Sequence, residues 1–160
     1  MFFKRVRSDG LAQNSYIAGD DNVAFVVDPR RDCSIYRDIA DREGARITHI
    51  FETHRNEDFV IGSCELAAMT GASIYHGAEL PFEYGKTVGE GTSFTFGKFN
   101  IRVIKTPGHT DESISLVLAD TSFSEEPLAV FTGDALFIGD VGRTDFFPDR
   151  ADEVADTSRQ

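Results

Sequence analysis

Polar residues of the types that bind metal ions or polarise substrates follow four β-rich runs of the sequence. They are Asp28 and the turns at residues 53–58, 107–111 and 132–134. Loops beyond strand ends can aim side chains at a common point while the strands stay rigid. A single histidine or aspartate in such a turn is usually a capping or surface residue. The occurrence of such residues after four separate strands is what indicates a functional site. The pattern predicts one site built from several loops.

Three of these residues, His54, His109 and Asp134, form a ligand set that suits a divalent metal ion. Two neutral imidazoles and one carboxylate leave such an ion with residual positive charge and open coordination positions. Non-haem Fe(II) uses this arrangement to activate O₂. Zinc hydrolases also use two histidines and a carboxylate, so the ligand types alone leave iron and zinc open.

The elements that must position these residues alternate strands with helices. Hydrophobic periodicity predicts strands at residues 15–18 and 23–27 in a hairpin, a helix over 32–43 and a strand over 47–51. Strand, helix and strand in succession favour a mixed, partly parallel sheet. Farther along, the sequence predicts a helix over 62–69, a short strand over 72–75, a turn-rich segment over 85–91, and strands over 92–96, 100–105, 114–119 and 128–132.

Length and composition predict one globular domain, because the chain has 160 residues, of which 41% are hydrophobic and 27% charged. A net charge of -11 repels phosphate backbones and anionic lipids, so neither nucleic acid nor a membrane is an expected partner. No apolar run is long enough to span a bilayer and no signal-peptide core follows the first basic residues, which predicts a cytoplasmic location. Cys33 and Cys64 are predicted to be buried thiols.

The polar turns together resemble motifs of the metallo-β-lactamase superfamily, and within it those of the persulfide dioxygenases, which are related to glyoxalase II. The quoted motifs are the turn at 53–58, Pro-Gly-His-Thr-Asp at 107–111, Phe-Thr-Gly-Asp at 131–134 and Gly-Arg-Thr-Asp-Phe at 142–146. The resemblance implies an α/β fold, the αββα sandwich of two mixed sheets with helices outside. It also implies that His54, His109 and Asp134 bind a single Fe(II), that Arg143 faces a thiol substrate, and that Asp58 orients a ligand or bound water.

One departure from the superfamily pattern bears on the chemistry. The first motif is usually Thr-His-x-His-x-Asp-His and supplies ligands to two metal sites, but here Asn56 and Phe59 stand at the second and third histidine positions. The second metal site thereby loses two imidazoles, whereas the three iron ligands are kept. The resemblance therefore implies a persulfide dioxygenase, which oxidises a low-molecular-weight thiol persulfide with O₂ to sulfite and free thiol.

Alternatives stay open at this point. The same fold supports a glyoxalase II-like hydrolase that uses one zinc ion to polarise a thioester carbonyl and activate water. A non-catalytic metal-binding domain that pairs with a partner is a third hypothesis. Arg143 has a structural alternative as the ion-pair partner of Asp140 or Asp145, and Asp58 has one as a loop cap.

The resemblance also implies more chain than these 160 residues contain. A typical relative continues beyond the Gly-Arg-Thr-Asp-Phe motif with a helix, further strands and another histidine segment. We therefore expect residues 1–160 to form one metallo-β-lactamase-like domain that is incomplete at its carboxyl terminus. Apolar surface left exposed should favour a homo-oligomer, and a downstream rhodanese domain is a further expected partner.

Overall fold

Two β-sheets packed face to face form the frame of the protein in the computed structural model, which describes residues 1–8, 10–11, 13–56, 58–124 and 126–143. The first sheet contains, in spatial order, β1 (Phe2–Arg7), β2 (Asn14–Asp20), β3 (Val23–Val27), β4 (Arg46–Phe51), β5 (Ser73–Gly77) and β6 (Lys86–Val88). The second has the spatial order β10-β9-β8-β7, with β7 (Ser93–Phe96), β8 (Phe99–Lys105), β9 (Ile114–Asp120) and β10 (Pro127–Phe131). A small ribbon pairs β11 (Leu136–Phe137) with β12 (Asp140–Val141).

The first sheet is mixed, as the sequence predicts. Strands β1, β2 and β3 pair antiparallel, and β3, β4, β5 and β6 pair parallel. The predicted hairpin is confirmed: its turn residues Asp21 and Asn22 both have positive φ, 48° and 65°. This backbone suits a two-residue turn, because its twist matches that of the flanking strands.

Two helices cross over between the parallel strands and cover the outer face of this sheet. They are α1 (Ser34–Arg42) and α2 (Ser63–Thr70). Tyr36 and Leu66 from these helices are fully buried against Ile17 and Ile50 of the sheet. Gly71 ends α2 in the left-handed conformation, with φ of 75°, which residues with a side chain adopt at a cost.

Aromatic rings fill the space between the sheets. Phe25 and Phe51 from the first sheet meet Phe96 and Phe131 from the second, with ring centroids 4.9 Å apart for Phe25 and Phe96. Burying one such side chain stabilises the fold by about 1.5–3 kcal/mol. The core therefore fixes how the ends of the two sheets face each other.

Two strands and one cysteine are among the features that differ from the sequence-based predictions. Strand β1 lies in a segment for which no strand was predicted, because its charged residues suit an exposed edge and hide the alternation. Strand β6 lies within the segment predicted to be turns, where it is a three-residue edge strand. The prediction that both cysteines are buried is wrong for Cys64, which is exposed in the first turn of α2, whereas Cys33 is buried.

Both helices that the structure describes lie on the six-stranded sheet, so residues 1–143 supply one helix layer and both sheets of the predicted sandwich. Within these residues, no helix is long and apolar enough to cross a membrane. The carboxyl ends of β3, β4, β8 and β10 carry the four polar turns, and the site is built there.

Candidate metal centre

His54, His109 and Asp134 lie together at one end of the sandwich. His54 follows β4, His109 follows β8, and Asp134 lies in a 3-10 turn, Gly133–Ala135, that follows β10. The Nε2 atom of each histidine is 3.8 Å from Oδ2 of Asp134, and one potential ligand atom from each of the three residues lies within 4.8 Å of the others. Ligands bound to one ion at about 2.0–2.2 Å are separated by roughly 3 to 4.4 Å, so small side-chain adjustments would let all three reach a single ion.

The orientation of His54 is set by a hydrogen-bond chain that ends at Asp28. Nδ1 of His54 lies 3.0 Å from Oγ1 of Thr53, whose hydroxyl donates to Oδ2 of Asp28 at 2.8 Å. Because that hydroxyl proton is committed to Asp28, the Thr53 oxygen accepts the Nδ1 proton of His54. The Nε2 lone pair of His54 is thereby left for a metal.

Asp28 thus takes part in the site without being one of the clustered ligands. Both of its oxygens accept hydrogen bonds from Thr53, one from the backbone N–H and one from the hydroxyl. Burial raises the pKa of Asp28 to about 7, against the lowering effect of these hydrogen bonds. Its left-handed backbone, with φ of 47°, begins the turn at the end of β3.

His109 is held in the same tautomer by a different partner. Its Nδ1 lies 3.1 Å from the carbonyl oxygen of Arg143, which can only accept a hydrogen bond. Nδ1 therefore donates, and the lone pair that would bind a metal is on Nε2. The rings of His54 and His109 meet edge to face, with centroids 5.0 Å apart, so both nitrogens converge on the Asp134 carboxylate.

The two imidazoles are largely buried, whereas Asp134 opens towards solvent. The side chains of His54 and His109 are 6% and 11% exposed, whereas that of Asp134 is 43% exposed. Desolvation lowers the pKa of His54, although the nearby Asp134 carboxylate acts in the opposite sense. A neutral imidazole is the form that binds metal ions.

Two glycines let the site loops approach closely. A Cβ on Gly142 would lie 1.7 Å from the carbonyl oxygen of Asp134 and 3.3 Å from Cβ of His109. A Cβ on Gly133, where φ is +52°, would lie 2.2 Å from Oγ1 of Thr53. Both positions therefore exclude any larger residue unless the ligand loops move apart.

Glu112 is a structural partner of the site that the sequence analysis misses. Its buried Oε1 accepts hydrogen bonds from the backbone N–H of Arg55, at 2.8 Å, and from the hydroxyl of Thr110, at 2.9 Å. These donors directly follow His54 and His109 along the chain, so one carboxylate ties the two histidine loops together. An acidic residue two positions before an apolar strand was the available signal.

A cleft of about 680 Å³ opens beside the ligand cluster. His54 and Asp134 contribute to its wall, together with Asn56, Asp58 and Phe59 from the loop after β4. The side-chain amide of Asn56 donates a long hydrogen bond, 3.4 Å, to the carbonyl of His54. Asn56 and Phe59, at the two substituted histidine positions, thus line the cleft without offering an imidazole.

Asp58 and Arg143, the two other predicted site residues, are both exposed. Asp58 is exposed on the cleft wall, and its predicted role in orienting a ligand stays a prediction. Arg143 reaches the site through its backbone carbonyl at His109, while the residue as a whole is exposed. Of its two structural ion-pair partners suggested by the sequence, Asp145 lies outside the described residues.

Comparison with known proteins places this geometry in a family. A sequence model of the metallo-beta-lactamase superfamily matches residues 8–160, nearly the whole chain. The chain belongs to the metallo-beta-lactamase superfamily. The predicted fold class is therefore confirmed, and the His-His-Asp cluster lies within a metal-binding superfamily.

Solved structures of the superfamily resemble the whole chain. A metallo-beta-lactamase from Staphylococcus aureus subsp. aureus COL is 35% identical with a TM-score of 0.90, and the match covers 99% of this chain and 50% of that protein. ETHE1 from Myxococcus xanthus is 30% identical with a TM-score of 0.82, over 98% of this chain and 68% of that protein.

Among curated relatives, a hydroxyacylglutathione hydrolase from Brucella anthropi is 41% identical over 106 residues. The match covers 64% of this chain and 38% of the hydrolase. The aligned part of the chain thus spans well under half the length of this curated relative.

Proposed function

We propose that this superfamily member is a persulfide dioxygenase that binds one Fe(II) ion through His54, His109 and Asp134. The carrying observation is the convergence of these three side chains beside a cleft in which Asn56 and Phe59 replace the ligands of a second metal. The likeness to ETHE1 from Myxococcus xanthus supports the same function. The substrates would be O₂ and a low-molecular-weight thiol persulfide.

The proposed reaction balances without a further cofactor. A persulfide, one O₂ and one water give the free thiol, sulfite and two protons: the sulfur–sulfur bond breaks, and the terminal sulfur loses the four electrons that O₂ gains. Fe(II), when bound, would supply the O₂ chemistry that amino-acid side chains cannot perform. The substrate sulfur and O₂ both need access, and the exposed side of Asp134 faces the cleft that would provide it.

The chain's own residues would hold the site rigid and bind the substrate. The Thr53–Asp28 pair and the Arg143 carbonyl fix the two imidazoles, and Glu112 joins their loops. Asp58 would orient a bound water at the cleft wall. The Arg143 guanidinium would contact the anionic end of the thiol carrier, as the family resemblance implies.

A zinc thioester hydrolase is the second candidate, because sequence likeness supports it at least as well. The Brucella anthropi hydroxyacylglutathione hydrolase shares 41% identity with the aligned part of this chain. Asn56 and Phe59 weigh against a two-metal hydrolase, since that enzyme needs the imidazoles they have replaced, whereas a one-zinc hydrolase would use the same three ligands as the dioxygenase. A non-catalytic domain is the third candidate, and a downstream rhodanese domain stays a prediction.

One preparation can separate these functions. Protein purified without air is loaded with Fe(II) or with Zn(II), and each form is given glutathione persulfide under O₂ and, separately, S-lactoylglutathione. The proposal predicts O₂ uptake and sulfite release by the iron form only, with negligible thioester hydrolysis by either form. Rapid hydrolysis by the zinc form without O₂ uptake by the iron form would establish the hydrolase. Inactivity of both forms would favour the non-catalytic domain.

A further inference from the structure

The edge of the first sheet contributes a cation to the cleft that holds the metal ligands. Arg5 of β1 lines this cleft, together with Asn14 and Tyr16 of β2. None of these residues belongs to the four polar turns that first pointed to the site. Their position follows instead from strand pairing.

The register of the sheet places Arg5 at the same end as the metal centre. Arg5 pairs with Tyr16, which pairs with Val27, the residue before Asp28. Two strand spacings therefore separate the backbone of Arg5 from that of the Asp28 turn, about 10 Å. An arginine side chain bridges much of that distance, and a carrier the size of a tripeptide would bridge the rest.

The alternation of β1 directs Arg5 towards the cleft rather than towards the helices. Val6, the next residue, is buried in the cluster beneath the helices with Ile17. Successive side chains of a strand point to opposite faces, so Arg5 shares the other face with Phe3. Phe3 stacks on Phe131 of β10 at 5.9 Å between ring centroids, which shows that this face is turned towards the second sheet.

Arg5 carries a positive charge in a cleft that is otherwise lined by acidic and neutral side chains and His54. Three aspartates, Asp28, Asp58 and Asp134, line the cleft, and Arg5 is the one lysine or arginine among its described lining residues. No carboxylate of the described chain forms an ion pair with Arg5, which is exposed. The net charge of -11 repels anions from most of the protein surface. A guanidinium in the cleft without an ion-pair partner would therefore attract an anion to this point.

We propose that Arg5 binds an oxyanion group, carboxylate or phosphate, of the thiol carrier and so positions the persulfide in the cleft. The inference rests on the proposed function and adds to it a specificity-determining residue, Arg5, which selects a carrier with an anionic group. The planar guanidinium matches a carboxylate or phosphate with two parallel hydrogen bonds. Arg5 acts in addition to Arg143. Arg5 lies near the amino-terminal end of the described chain, and Arg143 lies at its carboxyl-terminal end.

The test compares Arg5→Ala and Arg5→Lys with Lys4→Ala in the metal-loaded protein. Lys4 is a matched control, because it removes the same charge from the same strand but lies near Glu43, 3.8 Å away, on the helix-facing side. Steady-state kinetics use glutathione persulfide, and calorimetry measures the Kd of glutathione, of its diethyl ester and of coenzyme A.

Arg5→Ala should raise the KM for glutathione persulfide and the Kd of glutathione or coenzyme A by roughly ten- to a hundredfold, with kcat and iron content unchanged. Arg5→Lys should recover part of this loss, and Lys4→Ala should lose nothing. The diethyl ester should bind weakly to every variant if the group is a carboxylate, whereas a defect confined to coenzyme A would identify a phosphate.

Unchanged Kd values in Arg5→Ala, or an equal loss in Lys4→Ala, would overturn the inference. Wild-type protein that binds neither glutathione nor coenzyme A would overturn it as well. Binding does not depend on turnover, so a protein that binds glutathione through Arg5 without consuming O₂ would contradict the proposed function and leave the anion site standing.

Discussion

His54 and His109 are suited to bind one metal because each has its Nδ1 proton committed elsewhere. Thr53 accepts that proton for His54, and the Arg143 carbonyl accepts it for His109. Each imidazole therefore presents its Nε2 lone pair to the same point, beside the Asp134 carboxylate. Fixing the tautomer and the ring orientation in advance removes part of the entropy cost of metal binding.

Replacing any one ligand, in His54→Ala, His109→Ala or Asp134→Ala, should abolish iron binding and leave the fold intact. A metal centre with two remaining protein ligands is too weak to survive gel filtration, whereas each ligand lies on a loop beyond a strand. Metal analysis and circular dichroism check this, with Asp38→Ala on the exposed face of α1 as the control that keeps its iron. A variant that retains iron would remove that residue from the ligand set.

Glu112→Ala should weaken iron binding without touching a ligand. It removes the acceptor shared by the Arg55 N–H and the Thr110 hydroxyl, at about 1–3 kcal/mol in all, because the Arg55 bond is only part-buried and the Thr110 hydroxyl keeps its contact with Ser113. Loosening both histidine loops should lower iron affinity by about 10- to 100-fold. Urea unfolding and competitive chelation measure the two effects.

The control for Glu112→Ala is Glu90→Ala, since Glu90 also accepts a backbone hydrogen bond, from Lys105, but on an exposed surface. Glu112→Gln keeps a carbonyl acceptor and should recover part of the loss. If Glu112→Ala unfolded normally and bound iron as tightly as wild type, Glu112 would have no part in holding the site.

The sequence predicts the clustered residues but not what surrounds them. His54, His109 and Asp134 are recognisable because metal-binding residue types follow separate strands. Glu112 was missed because its role depends on a contact between segments 57 residues apart, the bond from Arg55 to Glu112. Arg5 was missed because strand β1 was not predicted, and its place at the cleft follows from the pairing of β1 with β2. Hydrophobic periodicity carries no information about such contacts.

At the scale of elements, the strand ends decide where the site lies. The hairpin, the two crossover helices and the three strands from 93 to 120 were predictable because apolar spacing and turn residues agree along these segments. Strand β1 was not, since charged residues on an edge strand face solvent or a cleft and break the apolar alternation. Its pairing with β2 is nevertheless what brings Arg5 to the site.

Gly142→Ala tests whether the β11–β12 ribbon must close tightly on the ligand turn. Its Cβ would overlap the Asp134 carbonyl oxygen, so the ribbon and the Asp134 turn would have to separate. We expect at least a tenfold loss of iron affinity with little change in the unfolding midpoint, because β11 and β12 are exposed two-residue strands.

Gly89→Ala is the control for Gly142→Ala. A Cβ at Gly89 meets nothing within 4 Å, and its backbone is not in the left-handed region. Competitive chelation measures the iron affinity of both variants. Equal iron affinity in the two proteins would show that the contact between Gly142 and the Asp134 turn is unimportant.

Part of the exposed apolar surface of the molecule lies on an edge strand. Strand β10 is an edge of the four-stranded sheet within the described residues, and its Leu128 and Val130 are 63% and 52% exposed. An exposed apolar edge strand is a template for pairing with another chain.

The 160-residue chain should therefore self-associate through β10, and Leu128→Glu should weaken that association. A charge on the edge strand opposes pairing with a second strand. Sedimentation velocity over a range of concentrations measures the effect. Phe123→Glu is the control, because Phe123 is 90% exposed but lies in the turn before β10. A monomeric wild-type chain, or equal effects of both substitutions, would contradict the prediction.

The number and identity of metal ions bound per chain distinguish a single iron site from a two-metal or zinc site. Protein is purified without air from cells supplied with both iron and zinc, and each metal is counted by mass spectrometry against protein concentration. We expect close to one iron per chain, since His54, His109 and Asp134 form a single cluster and Asn56 and Phe59 offer no second set of imidazoles. Two tightly bound metal ions per chain, or one zinc with no iron, would contradict it.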